Sequence, residues 1–321
     1  ILENIDVHDG MAIGFYLVKG MNNLVLNCDA HDNYDGYSEG DSGNVDGFGG
    51  HANKETSTGN IFRGCRAWNN GDDGFDLINC YASYIIEYCW SFRNGYKPHS
   101  IESSGGNGAG FKSGGYGMGD IKKVPNPIPQ HTVRYCLAYY NRQQGFYSNH
   151  HLGGLIFENN TAYKNPSNYN MLNRKSSNEA VDVPGYGHII KNNLSLSPRN
   201  SGGFPQHLIN VDNTLSEIKN NSFAPNDLNL SESDFESLNE QELMGSRKSD
   251  GSLPDINFLR LTNHANFRFS GMGCFINEEA VDYSWIQEPA IVLENGVARI
   301  VGENSKSFNK FYVNGEEVSI E

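Results

Sequence analysis

The chain has 321 residues and a formal net charge of −14, from 38 acidic and 24 basic side chains. Only 37% of residues are hydrophobic, and no apolar run approaches the roughly 20 residues of a membrane-spanning helix. Neither membrane insertion nor a nucleic-acid partner is expected, because the latter needs a basic face. The content of aliphatic, Tyr and Phe residues is too high for a disordered chain.

From the first residue the chain repeats. A ten-residue pattern (aliphatic, two variable positions, Asn or Cys, a small or polar residue, then Asn near the end) begins at Ile1, Leu24, Ile61, Ile85, Thr132, Ile156, Ile189 and Glu217. The intervals are 23, 37, 24, 47, 24, 33 and 28 residues, which read as a unit of 23–24 with inserted loops. Each unit alternates apolar and polar residues and lacks helical periodicity. Such a unit buries its apolar face only by stacking on its neighbours. The expected fold is all-β, a right-handed parallel β-helix, over residues 1–265. Because Ile1 already lies inside a repeat and no leader precedes it, we expect earlier residues either to have been processed away or to lie outside this numbering.

A second mark falls in the same coils. Gly-Phe pairs at Gly14-Phe15, Gly47-Phe48, Gly74-Phe75, Gly110-Phe111 and Gly145-Phe146 predict an inward Phe stack, each Gly bending the chain into its strand. The fifth position of the pattern holds Cys28, Cys65, Cys89 and Cys136, then Asn160, Asn193 and Asn221. This column predicts a file of buried thiols followed by an amide ladder. Without a close Cys-x-x-Cys pair, zinc is not expected. Beyond residue 225 the pattern fades, and Ser231 to Glu242 suggests a short helix over the last coil. Residues 266–321 are expected to form a small antiparallel β appendage, with hairpin turns at Asn295-Gly296 and Asn314-Gly315.

The Phe register brings distant residues together. Two positions before the Phe lie Asp46, Asp73 and Ala109; one position after lie Gly49, Asp76 and Lys112. Neighbouring coils are about 4.8 Å apart, so Asp46, Asp72, Asp73 and Asp76 crowd one surface, with Lys112 beside Asp76. For a single Asp-Gly, a turn is the simpler explanation; for four such carboxylates in register, a hard cation is, and Ca2+ suits flexible oxygen ligands. Lys112 is either a solvated partner of Asp76 or a base, its proton affinity lowered by a neighbouring cation. With a cation on a uronate carboxylate, such a base suits β-elimination, in which the C5 proton is removed and the C4 oxygen leaves.

These residues resemble polysaccharide lyase family nine, through NVDGF at Asn44–Phe48, CRAWNNGDDGFDL at Cys65–Leu77 and GFK at Gly110–Lys112, and more weakly through HTVRYCLAYYNRQQGF and GSLPDINFLRL. The resemblance spans roughly residues 20–265. It implies a right-handed parallel β-helix that cuts pectin, with Asp46, Asp72, Asp73 and Asp76 as calcium ligands and Lys112 as Brønsted base. One coil past Lys112, however, Tyr147-Ser148-Asn149-His150-His151 departs from the polar run of pectate-cleaving members. This sets homogalacturonan in question and leaves rhamnogalacturonan-I and homogalacturonan both open as the substrate. Tyr147, His150, His151, Arg174 and Lys175 are candidate substrate contacts, followed by Tyr34, Tyr37, Tyr116, Lys54, Lys97 and Arg142. The partner is then an acidic plant cell-wall polysaccharide, and the protein is expected to be a secreted, periplasmic or cell-surface monomer. A non-catalytic calcium-containing carbohydrate-binding β-helix is one rival. A polygalacturonase-like hydrolase using Asp72 and Asp73 is another, but it would leave Lys112 idle and the usual Gly-His-Gly is missing. An epimerase shares the proton-abstraction step.

Overall fold

The computed structural model describes residues 1–37, 42–116, 124–199, 206–223 and 228–275, together with strands at 290–294, 297–301, 311–313 and 316–318. Short strands stack in parallel into three long sheets of eight, seven and seven strands, the architecture of a parallel β-helix. The first half of the ten-residue pattern supplies the first sheet, for example Asn60–Arg63, Tyr84–Glu87 and Thr132–Arg134. Its second half supplies the second sheet, as in Arg66–Trp68 and Trp90–Phe92. The Gly-Phe mark opens the third sheet, including Phe48–Gly50, Phe75–Asp76, Phe111–Lys112 and Phe146–Tyr147.

Turn chemistry explains the corner between the first two sheets. The fourth position of the pattern is left-handed in successive coils: Asn27 (φ 53°), Gly64 (65°), Tyr88 (55°), Tyr135 (55°), Asn159 (53°) and Asn192 (56°). Asn and Gly tolerate this region, whereas Tyr does so at a cost; Tyr88 and Tyr135 stack on each other at 4.8 Å.

Inside, side chains stack like with like. Phe15, Phe48, Phe75, Phe111, Phe146 and Tyr169 form one column with neighbouring centroids 4.8–4.9 Å apart. Tyr169 continues the column although no Gly-Phe mark announces it. The Asn160–Asn193–Asn221 ladder forms as expected, with amide contacts of 3.1 and 2.9 Å. A second ladder runs through the closing Asn of the pattern, from Asn33 through Asn70, Asn94 and Asn141 to Asn165, at 2.9–3.1 Å. All six cysteines are free and buried.

The glycines before the Phe column are needed for space, because none of them has a positive φ. A Cβ on Gly74 would lie 2.8 Å from the Gly110 carbonyl oxygen and 2.0 Å from Ser91 Oγ, and one on Gly110 would lie 2.7 Å from the Gly145 oxygen. The next coil and the second Asn ladder occupy the volume a side chain would need.

The segment after the last coil differs from expectation. Ser231 to Glu242 holds two 3-10 turns, Glu232–Asp234 and Glu240–Met244, rather than a helix capping the last coil. It runs back along the outer face of the second sheet: Tyr163 meets Glu232, Tyr139 and Arg93 meet Glu240, Arg66 meets the Leu243 carbonyl, and Arg247 reaches Asp29. The chain then turns and returns through Phe258 to Gly273, whose N–H donates to the Asn192 carbonyl. The apolar outer face of the second sheet needs this cover, for Trp68, Trp90, Phe92 and Leu137 pack against Phe235, Leu243 and Phe258. The helix Asn263–Arg268 crosses the expected boundary at residue 265, and Phe269 and Met272 still belong to the same cluster. Near the end, strands Ala290–Glu294 and Val297–Val301, then Phe311–Val313 and Glu316–Val318, pair antiparallel. The expected turn residues Asn295-Gly296 and Asn314-Gly315 lie outside the described residues. No described helix is long and apolar enough to cross a membrane.

Candidate active site

On the outer face of the third sheet one column reads Tyr16, Gly49, Asp76, Lys112, Tyr147, Asn170 and Ile209, each beside the next in adjacent strands. The expected pairing of Asp76 with Lys112 is therefore direct. Lys112 Nζ lies 3.0 Å from Asp76 Oδ2 and 3.0 Å from Asp73 Oδ2.

Asp46, Asp73 and Asp76 form a buried trio whose nearest carboxylate oxygens lie within 4.8 Å of one another. Neighbouring backbone sets each of them. Asp46 Oδ1 accepts from Asp73 N at 3.0 Å, Asp73 Oδ1 from Ala109 N at 2.6 Å, and Asp76 Oδ1 from Ile78 N at 2.8 Å. Asp72 stands just outside the trio. Its oxygens accept from Asn44 N at 2.7 Å and Asn107 N at 2.5 Å, which still leaves lone pairs on both.

Electrostatics sharpen the picture. Burial, reinforced by the neighbouring carboxylates, raises Asp46 well above the usual carboxylate range. Burial likewise lifts Asp73, to about 7, against the pull of Lys112. Burial also disfavours the Asp76 anion, but Lys112 and His51 outweigh it and hold Asp76 below its ordinary value. For Lys112, burial favours the neutral amine, yet Asp73, Asp76, Asp46 and Asp72 together push its pKa up. With the trio ionised, one ammonium leaves an excess of negative charge in a dry site. A divalent cation fits this donor set, since oxygens within 4.8 Å of each other can share an ion with bonds of about 2.4 Å.

His51 is a neighbour the sequence reading missed. Its Nε2 is buried without a hydrogen-bond partner, 3.8 Å from Asp76 Oδ2, and its Nδ1 lies 3.2 Å from the Tyr16 hydroxyl. A signal existed, because two residues beyond Gly49 strand alternation returns to the groove face.

The other expected contacts divide. Tyr147 follows Lys112 in the groove column; its hydroxyl lies 2.9 Å from His150 Nε2, and His150 Nδ1 lies 2.6 Å from Asp182 Oδ1. His151 has to be moved out of the groove: it is fully buried, held by Gly115 N and the Pro129 carbonyl, and stacked on Tyr116. The physical reason is that Asn149 (φ 54°) and His150 (φ 56°) are both left-handed and break the alternation. Arg174 is also buried, its backbone bonded to His151 and its guanidinium facing the Tyr116 carbonyl. Lys175 is exposed on the hairpin formed by Asn173–Ser176 and Glu179–Val183, where it pairs with Glu179. Tyr116 is packed, donating to the Cys80 carbonyl, whereas Tyr37 is exposed and Arg142 holds the carbonyls of Gly106 and Asn107.

Stacked coils in three parallel sheets define a class, the parallel β-helix proteins. The chain belongs to polysaccharide lyase family nine: residues 1–222 match the "Pel9A-like, right handed beta helix region", and residues 212–320 match "Rhamnogalacturonan lyase-like, C-terminal". It is 34% identical over 283 residues to "Pectate lyase L" of Dickeya chrysanthemi, covering 88% of this chain and 58% of that protein. "Pectate lyase PEL9" of Emericella nidulans is 29% identical, with 80% and 60% covered. Among solved structures, a "Rhamnogalacturonan lyase" is similar with a TM-score of 0.79 and 56% identity, over 85% of this chain and 65% of that one. The "Crystal structure of pectate lyase Pel9A" gives a TM-score of 0.67 and 31% identity, over 86% and 65%. The chain thus spans about three-fifths of the length of these relatives.

Proposed function

We propose that this chain cleaves the rhamnogalacturonan-I backbone by calcium-assisted β-elimination, with Lys112 as the base. The observation that carries this reading is the amine of Lys112, 3.0 Å from two members of a buried carboxylate trio on the groove face. Asp46, Asp73 and Asp76 would hold Ca2+, with Asp72 beside them. The ion when bound supplies charge stabilisation to the uronate carboxylate as negative charge develops at C5. Once the trio serves a cation, its hold on the Lys112 ammonium weakens and the amine becomes available to take the C5 proton. Tyr16, Tyr147 and Lys175 are candidate contacts along the chain, while buried His151 and Arg174 would support the groove from within.

Rhamnogalacturonan-I is favoured over homogalacturonan by 56% identity to a rhamnogalacturonan lyase, against 31–34% to two pectate lyases. The Tyr147–His150 pair in the groove, in place of a polar run, agrees with a chain that alternates a neutral and an acidic sugar. A cell-wall substrate implies action outside the cell. The test is ultraviolet absorbance of the unsaturated product end on rhamnogalacturonan-I and polygalacturonate in parallel, with calcium and with chelator. A calcium-dependent rise on rhamnogalacturonan-I is expected. A rise on polygalacturonate alone would reverse the specificity, and no rise on either from folded protein would remove the lyase reading.

A further inference from the structure

The sheet register puts Tyr147 next to Lys112 on the groove face, and a hydrogen-bonded chain runs away from it: Tyr147 Oη to His150 Nε2 at 2.9 Å, then His150 Nδ1 to Asp182 Oδ1 at 2.6 Å. Asp182 comes from the hairpin strand Glu179–Val183, opposite Arg174, so a second segment holds the imidazole that meets the hydroxyl. We propose that Tyr147 is the acid that protonates the departing C4 oxygen, and that His150 and Asp182 are positioning residues that hold it. This rests on the lyase reading above and supplies the proton that elimination needs on its leaving group.

The geometry suits the stereochemistry. In a galacturonate ring the C5 hydrogen and the C4 oxygen stand on opposite faces, so base and acid must flank it. Lys112 Nζ leans back toward Asp73 and Asp76 in the preceding coil. The Tyr147 hydroxyl is tied the other way, toward a hairpin that follows the next coil. The two tips, on adjacent strands, are thus drawn in opposite directions along the stack. The groups around the phenol are Asp182, Lys112, Asp73 and Arg174; burial, with Asp182, pushes its pKa up to about 12, so it carries a proton to give.

The step balances. The C5–H bond breaks, its proton goes to Lys112 Nζ and its electron pair forms the C4–C5 double bond. The C4–O4 bond breaks with its pair on oxygen, and O4 takes the Tyr147 proton. His150, itself held by Asp182, fixes the phenol oxygen in place, and the hydroxyl turns its proton to O4 as the C4–O4 bond breaks. Solvent restores the proton to the Tyr147 phenolate and receives the proton from Lys112.

The experiment uses the calcium-loaded protein on rhamnogalacturonan-I, with the parent measured in parallel. Tyr147→Phe is expected to lose about 100-fold in kcat, the scale of general acid catalysis, with KM, substrate affinity by calorimetry and Tm held. Asp182→Asn leaves the phenol in place and is expected to lose about tenfold in kcat at unchanged KM, a smaller share of the same effect. If Tyr147→Phe folds and keeps the parent's kcat, or loses only affinity, Tyr147 is not the acid. Should Tyr147→Phe fail to fold, Asp182→Asn decides, and an unchanged kcat there overturns the proposal. An inactive parent would instead sink the lyase reading itself.

Discussion

Lys112 shows how one residue's role depends on what shares its carboxylates. Alone with Asp73 and Asp76 it is an ion pair at 3.0 Å, and the neighbouring charges favour its ammonium form. As a base it must lose that proton, which arginine cannot do at accessible pH. Lys112→Arg is therefore expected to cut turnover by about a thousandfold, within the range for a lost general base. It should preserve Tm within a few degrees, checked by initial rates and thermal melts. The buried histidines make a separate prediction. Burial, joined by the mutual repulsion of close neighbours, lowers His131 to about 3 and His188 to about 3, and burial lowers His151 to about 4, from an ordinary 6.5. The unfolded chain binds these protons first, so their contribution to stability is complete above the ordinary value and is lost as pH falls toward 3–4. Tm should drop on acidification through that window, and His151→Gln, which cannot titrate, should flatten the slope of Tm against pH.

At the level of the coil, the Phe column and the two Asn ladders depend on close approach between turns of the helix. Gly74 is the tightest of the column glycines, since a Cβ there meets Ser91 Oγ at 2.0 Å and the Gly110 oxygen at 2.8 Å. Gly74→Ala is expected to cost about 1–3 kcal/mol, as overpacking does, and to lower activity, because Asp73 precedes it and Asp76 follows two residues on. Asn94→Ala should cost a similar amount, about 1–3 kcal/mol, by leaving its ladder neighbours unpaired in the interior. Denaturant titration of both variants checks these values. Much of this was legible beforehand. The Gly-Phe pairs gave the third-sheet register, and with it the approach of Asp46, Asp73, Asp76 and Lys112. The second ladder was written in the closing Asn of each repeat, but a conserved-looking turn residue and an inward amide share the same letter.

For the whole molecule, the segment 228–275 acts as a cover. It runs from the last coils to Asp29 near the first and back to Asn192, so it ties together coils that otherwise touch only their neighbours. A chain ending at residue 222 would bare Trp68, Trp90, Phe92, Leu137 and Tyr139, a continuous apolar face of the kind that drives association. It is expected to aggregate or to bind a hydrophobic dye strongly, whereas a chain ending at residue 275 should remain soluble. Size-exclusion chromatography and dye fluorescence of the two truncations separate these outcomes.

Composition, the repeat interval and the Gly-Phe register were enough to determine a stacked-coil fold and the core of its candidate site. They suffice because in a solenoid each residue meets the residue one coil away, so a local period carries the long-range contacts. Contacts that break the period were decided by tertiary structure alone. Asp182 reaches His150 from a hairpin, and the cover doubles back over the second sheet. His51 lies just past the strand Phe48–Gly50, so alternation from Gly49 hinted at its side of the sheet but not at its approach to Asp76. His151 turned inward where two left-handed residues interrupted the pleat, a reversal that depends on backbone angles and not on the pattern of side chains.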